Sequence, residues 1–260
     1  MYLKNVLAIA SKDMKEVFSS IEIYGPMLGV PLFFAVFLPI MTFYITIYGA
    51  PQILAKLVAV SSVGPGMPMA TGVVFMQFFS INVLGPIFLT MPILTASVIA
   101  ADSFSGEKER KTSEALLATP VSVTDLLLGK IMASFIPTML LTLSVFLVYG
   151  GITNALSFQA YNAFILPTAP WLLMVLTSPF LALVAIGFIV LISSKAKGIK
   201  EAQQISTLLA LPILVIPFVS VLGIATLDTG FFLDTIAVLA ALDALTLYVG
   251  VRSFRKESIL

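Results

Sequence analysis

Apolar residues run in six long blocks along this chain, and the polar residues between them are bunched rather than alternating. A block of about 20 residues is what a helix needs to cross ~30 Å of hydrocarbon at 1.5 Å per residue. The first block, Pro26 to Ile47, carries no charge. The second, Phe79 to Ala101, ends at a charged insert, and Lys56 is the only charge between Glu22 and Asp102. Ile131 to Ser194 is uncharged and too long for one span. It divides at Thr153–Thr168, which holds Asn154, Gln159, Asn162 and Pro167, leaving spans over 131–152 and 169–192. A fifth span covers 205–225 and a sixth 231–251. The pattern predicts an all-α integral membrane protein, one transmembrane domain over residues 1–260 with six spans.

Residues 1–24 have a different pattern. Leu3, Leu7, Ala10, Met14, Val17, Phe18 and Ile21 recur at spacings of three and four, with Lys4, Lys12, Asp13, Lys15, Glu16 and Glu22 mostly off that stripe. This predicts an amphipathic helix lying in the membrane interface, lysines among the headgroups. A cleavable signal peptide would place an uninterrupted apolar core here, and the charges exclude one. Between spans one and two, Tyr48 to Gln77 is too long for a tight turn. Pro51, the apolar run Ile53–Val60 and the Gly64-Pro65-Gly66-Met67-Pro68 break allow either a short re-entrant helix or an irregular loop.

Composition and charge sharpen the class. Of 260 residues, 59% are hydrophobic and 10% charged, where a soluble domain carries about 25% charge. Mean hydropathy is +1.09. A net charge of +1 excludes a nucleic-acid binder built on bulk positive charge, and the absence of Cys and His removes disulfides, thiolate chemistry and His-based catalysis. Segments 1–24, 102–130, 193–204 and 252–260 hold thirteen of the fourteen Lys and Arg, and the alternate loops hold only Lys56. The positive-inside rule then puts both termini in the cytoplasm of a multi-pass protein, expected in the plasma membrane.

Candidate chemistry within the spans is sparse. Gly129-Lys130 is followed by Ile131 with no glycine at the required spacing ahead, so no nucleotide-binding loop exists. Asp234 and Asp243 lie nine residues apart, about 14 Å along a helix, too far to form a carboxylate pair. Asp243 is the deeply placed one. It is either a functional carboxylate or one satisfied by a neighbouring helix or the inner interface. Prolines 31, 39, 86, 92, 137, 179, 212 and 217 predict kinks. Asn82, Thr90, Thr95, Ser206, Thr207 and Ser220 face either a lumen or a partner helix.

The insert after span two concentrates the charge, eight groups between Asp102 and Asp125 with Lys130 close behind. It cannot lie in hydrocarbon, where one charge costs about 3 kcal/mol on insertion scales. A charged, structured protrusion on a membrane bundle is a docking surface. Thr112 is placed to cap a short helix with Glu114 in its first turn, and Thr119-Pro120 to stop it; Ser122 or Thr124 then starts the next, with Asp125 near its N-terminus.

The string Glu107-Lys108-Glu109-Arg110-Lys111-Thr112-Ser113-Glu114-Ala115-Leu116-Leu117-Ala118-Thr119-Pro120-Val121-Ser122, ending in Gly129-Lys130, resembles the hallmark of the type-2 ABC exporter permeases. Lys111 and Ser113 depart from it, where glycine and leucine are frequent. The resemblance covers the whole chain. It implies a membrane subunit paired with a second permease protomer, a homodimer favoured, and energised by a separate ATP-binding cassette subunit that binds ATP and magnesium. This chain itself is expected to bind no cofactor or metal and to be no enzyme. A cytoplasmic coupling helix between spans two and three would seat in the ATPase through Glu107, Lys108, Glu109, Arg110, Thr112 and Glu114. The loop 193–204 would add Lys197, Lys200 and Glu201. Spans two and five would face the substrate path, nominating Asn82, Thr90, Thr95, Thr207 and Ser220. The rival reading is an ion- or proton-coupled carrier using Asp243.

Overall fold

A computed structural model of the chain describes residues 3–19, 21–49, 68–106, 109, 122–193, 198–222 and 227–257. Among them the regular structure is all helical, without a strand, and residues 163–168 and 227–228 are irregular. Helix α1 is Leu3–Ser19, α2 Ile21–Tyr48, α3 Pro68–Phe79 and α4 Gly85–Ala101. Helix α5 is Val123–Tyr161, α6 Ala169–Ser193, α7 Ile199–Thr207, α8 Leu211–Val221 and α9 Thr229–Glu257. Six stretches are long and apolar enough to cross a membrane: Met27–Tyr48, Gly72–Gly106, Thr124–Tyr161, Ala169–Ser193, Ile199–Val221 and Thr229–Gly250. The expected six spans are present.

Their ends differ from the expectation. Span two begins well before Phe79, because the glycine- and proline-rich break ends at Pro68, the first residue of α3, where a missing N–H costs nothing. The Ile53–Val60 segment lies outside the described residues. Span three does not end at Ile152: α5, 39 residues in all, continues to Tyr161. The polar residues that suggested a break act otherwise. Asn154 accepts the N–H groups of Ile165 and Leu166 at 2.9 Å each and donates to the Leu166 carbonyl at 2.6 Å. It ties down the following loop from within the helix. The helix stops at Asn162, in the left-handed conformation (φ 53°) that asparagine tolerates at a C-terminus.

The proline positions are only partly kinks. Pro86 follows a π-helical segment, Ser80–Leu84, closed by the Gly85 N–H on the Ser80 carbonyl. Pro212 follows a 3-10 turn, Leu208–Ala210. A proline removes a backbone donor and crowds the carbonyl one turn earlier, so the helix changes pitch just ahead of it. A second π-helical segment, Asp102–Gly106, extends α4 toward the insert.

Span two is the centre of the bundle, 78% of its most apolar window buried, against 17% for span six. Its Phe88 joins Phe146, Tyr149 and Trp171 of neighbouring spans in an aromatic cluster with ring centroids 4.9–6.1 Å apart, and the Ser80 and Tyr149 hydroxyls are 2.7 Å apart. The outward faces of α2 (Phe33, Phe37, Tyr44) and α8 (Leu211, Val215, Phe218) remain exposed and apolar, as a hydrocarbon solvent requires.

Helix α1 is amphipathic, but its apolar positions serve two surfaces. Val6, Ala10 and Val17 are buried together with Asp13, whereas Leu3, Leu7 and Phe18 are exposed. The buried face packs on the start of α5, and Gly129 makes the approach possible. A β-carbon there would lie 2.8 Å from the Ile9 side chain and 3.1 Å from the Val6 carbonyl. Gly151, on the same helix, has nothing within 4 Å of such an atom. Gly129→Ala is therefore expected to destabilise the protein by about 1–3 kcal/mol through overpacking, despite the gain in helix propensity. Gly151→Ala should stabilise it by about 0.5–1 kcal/mol. Unfolding curves in one detergent, read side by side, check the opposite signs.

Candidate functional site

Both chain ends that bracket the charged insert are described, and most of the insert is not. Glu107, Lys108, Arg110, Thr112 and Glu114 lie outside the described residues, as do the Thr119-Pro120 stop and Lys197. The exit is an N-cap: Ser122 is extended (φ −69°, ψ 144°) and its hydroxyl accepts the Asp125 N–H at 3.1 Å. Asp125, expected merely to sit near a helix start, is itself almost wholly buried.

The entry is a buried polar knot that the sequence pattern did not disclose. Ser103, in the π-helical segment after α4, donates its hydroxyl to Asp13 of α1 at 2.8 Å. Lys130, near the base of α5, donates its ammonium to the Ser103 carbonyl and stands 5.3 Å over the Phe104 ring. One residue thus joins three helices, its hydroxyl serving α1 and its carbonyl α5. The π-helical pitch shifts the hydrogen-bonding frame at this turn. Lys130 is 2% exposed and Asp13 6%. A buried charge is tolerable only with partners that replace its water, and a carbonyl oxygen and an aromatic face are both such partners for an ammonium. Lys12 pairs with Asp13 at 3.2 Å and with Glu16 at 3.5 Å, joining the knot to the exposed side of α1. Asp102 is buried beside it. The Gly129-Lys130 pair therefore has two separable uses, space for α1 and a cation for Ser103.

Glu109, the one residue of the nominated docking stretch 107–114 that is described, has a partner within the chain. Its Oε2 accepts the Ile199 N–H at 3.0 Å, at the first turn of α7. A carboxylate there satisfies a donor that has no partner within the helix and meets the positive end of the helix dipole. Lys200 and Glu201 follow on the same turn, both exposed. The two loops expected to dock separately are therefore bonded to each other.

Three of the nominated path residues bond to the backbone of their own helices. Asn82 donates to the Phe78 carbonyl at 3.1 Å, Thr90 to Ile87 at 2.6 Å and Thr207 to Gln203 at 2.8 Å, each within its own helix. Thr95 and Ser220 are buried, and the Ser220 hydroxyl has no partner among the described residues. Spans two and five do meet, at Ser97 and Ser206, whose hydroxyls are 2.7 Å apart and fully buried. Asp243 is buried, with neither carboxylate oxygen partnered among the described residues, while Thr246 donates to its carbonyl at 3.1 Å. No group of three or more acidic, His or Cys side chains that would hold a metal occurs among the described residues.

If Ser103 bonds Asp13 as described, Asp13→Ala and Ser103→Ala should each cost about 1–3 kcal/mol and together less than their sum, by about 1 kcal/mol or more. A double-mutant cycle on detergent unfolding measures that coupling; strict additivity would break the link.

The profile of a family described as ABC-2 family transporter protein matches residues 7–255. No curated protein matches the chain.

Proposed function

The chain belongs to the ABC-2 transporter family, and on that premise we propose that it is the membrane subunit of an ATP-driven exporter powered by a separate ATP-binding cassette protein. The observation that carries this reading is the arrangement at the charged end. The insert leaves the most buried span through Ser103 and Gly106 and re-enters at the Ser122 cap of α5. A force on it is thus applied to spans two and three together, and through Asp13 to α1. The chain has no nucleotide-binding loop of its own, which supports a reading in which ATP and magnesium bind the partner. Nucleotide-driven closure of that partner shifts the bundle between two states, provided the partner contacts them differently. In this reading two copies of the permease line the path between them, and both termini and the insert are cytoplasmic, which the charge bias of the loops supports.

The docking residues in this reading are Glu107, Lys108, Arg110, Thr112 and Glu114, with Lys197, Lys200 and Glu201 in the second loop. Glu109 is set apart because it is engaged within the chain. A second reading, an ion- or proton-coupled carrier, has one observation in its favour, the buried carboxylate of Asp243. The two readings differ in what accompanies the chain.

Affinity purification of the full chain from its native membrane in a mild detergent, followed by mass spectrometry, separates them. An ATP-binding cassette subunit at near one-to-one stoichiometry is expected. It should fall at least tenfold in Glu107→Lys with Glu114→Lys, while the variant keeps its melting curve. A chain that purifies without any ATPase overturns the exporter reading in favour of Asp243.

A further inference from the structure

Spans two and five touch at three levels toward the charged end of the bundle. Furthest out, the Glu109 carboxylate accepts the Ile199 N–H. Next, Gly106 lies against Ile199, so close that a β-carbon on it would stand 3.3 Å from the isoleucine Cδ1. About two turns deeper, the hydroxyls of Ser97 and Ser206 are paired, both without solvent exposure. The surface between them is built for closeness. The buried residues of α7 and the 3-10 turn are Ala202, Ser206 and Ala210, one small side chain every four residues. Small residues at that spacing let two membrane helices approach to backbone contact, and a hydroxyl pair across the seam fixes their register.

Gly198 serves the outermost contact. Its backbone is extended and would suit any residue, but a β-carbon there would lie 2.8 Å from Glu109 Oε2. The glycine keeps open the space that the carboxylate occupies.

We propose that Glu109 is a positioning residue that latches the segment leaving span two onto the start of span five, so that within one protomer the two spans move as a single body. It deepens the exporter reading above and rests on it. A push on the cytoplasmic segment reaches span five directly, through a carboxylate on the end of its helix. The opening that admits substrate then lies between this paired unit and the rest of the assembly, not between spans two and five of the same chain.

The absence of cysteine makes the test clean, since an introduced pair yields one disulfide. Hydroxyl oxygens 2.7 Å apart bring the β-carbons of Ser97 and Ser206 close to disulfide reach. The complex carrying Ser97→Cys with Ser206→Cys, reconstituted with its ATPase in liposomes, is oxidised nucleotide-free and after vanadate trapping. The same yield in both states is expected, with ATPase activity within twofold of that after reduction. A several-fold drop in yield on trapping, or a tenfold loss of ATPase activity restored by reductant, overturns the single-body assignment.

For the latch itself, Glu109→Ala should lower ATPase activity several-fold while the ATPase subunit still co-purifies. Glu109→Gln, whose amide oxygen still accepts an N–H, should recover most of it. Gly198→Ala keeps the charge and displaces it, and should behave like Glu109→Ala. Loss of the ATPase subunit from Glu109→Ala but not from Gly198→Ala makes Glu109 a docking contact and overturns the latch. Failure of any ATPase to accompany the wild type is a different result, which strikes the exporter reading instead.

Discussion

Hydrocarbon offers no hydrogen bonds, and nearly every polar decision in this chain follows from that constraint. An unpaired polar group there costs several kcal/mol, which favours a partner inside the protein, with Ser220 and Asp243 among the exceptions in the described residues. Most find it one turn back along their own helix. Thr42, Thr46, Ser134, Thr138, Thr177 and Thr235 all donate to carbonyls of their own helices. The few that reach across to another element are therefore informative. Ser80 with Tyr149, Ser97 with Ser206, Ser103 with Asp13 and Lys130, and Asn154 with its loop define where helices are held in fixed register.

Those cross-links are unevenly spread, and their distribution matches the division of labour in the proposed function. Three sit around the two ends of the charged insert or on the seam between spans two and five. The result is a charged end in which α1, spans two and three, and the start of span five are mutually bonded, and the insert emerges from the middle of that assembly. At the outward rim the packing is aromatic and aliphatic, with exposed faces that match lipid. A bundle stiff at one end and greasy at its flanks suits the transmission of a push without loss in soft side chains.

The number and order of spans were legible in the sequence because a 20-residue apolar block has few other uses in a chain this poor in charge. Their ends were less so. Thr153 to Thr168 looked like a loop by composition, yet helix persists to Tyr161 because Asn154 finds partners twelve residues ahead, a relation that no local window contains. Asp13 read as a headgroup-facing charge on a surface helix; its partner is 90 residues away in the chain. Glu109 was singled out correctly as a member of the charged insert, but its partner on α7 was invisible to any motif. Lys130 was noted only as the end of a motif. Its burial against the Ser103 carbonyl and the Phe104 ring has a faint sequence trace, a lysine at the start of an otherwise apolar block, where a charge needs a reason.

Helix α5 has a geometry whose effect reaches past its own packing. Its 39 residues make a rod of about 58 Å, nearly twice the hydrocarbon thickness. One end is pinned by α1 across Gly129 and by Lys130 on Ser103; the other carries the loop stapled by Asn154. In the proposed exporter such a rod would serve as a lever arm. A rotation of about 5° about its pinned base carries the far tip through roughly 5 Å. In the proposed exporter, angstrom-scale events at the charged end are in this way magnified at the opposite end of the helix.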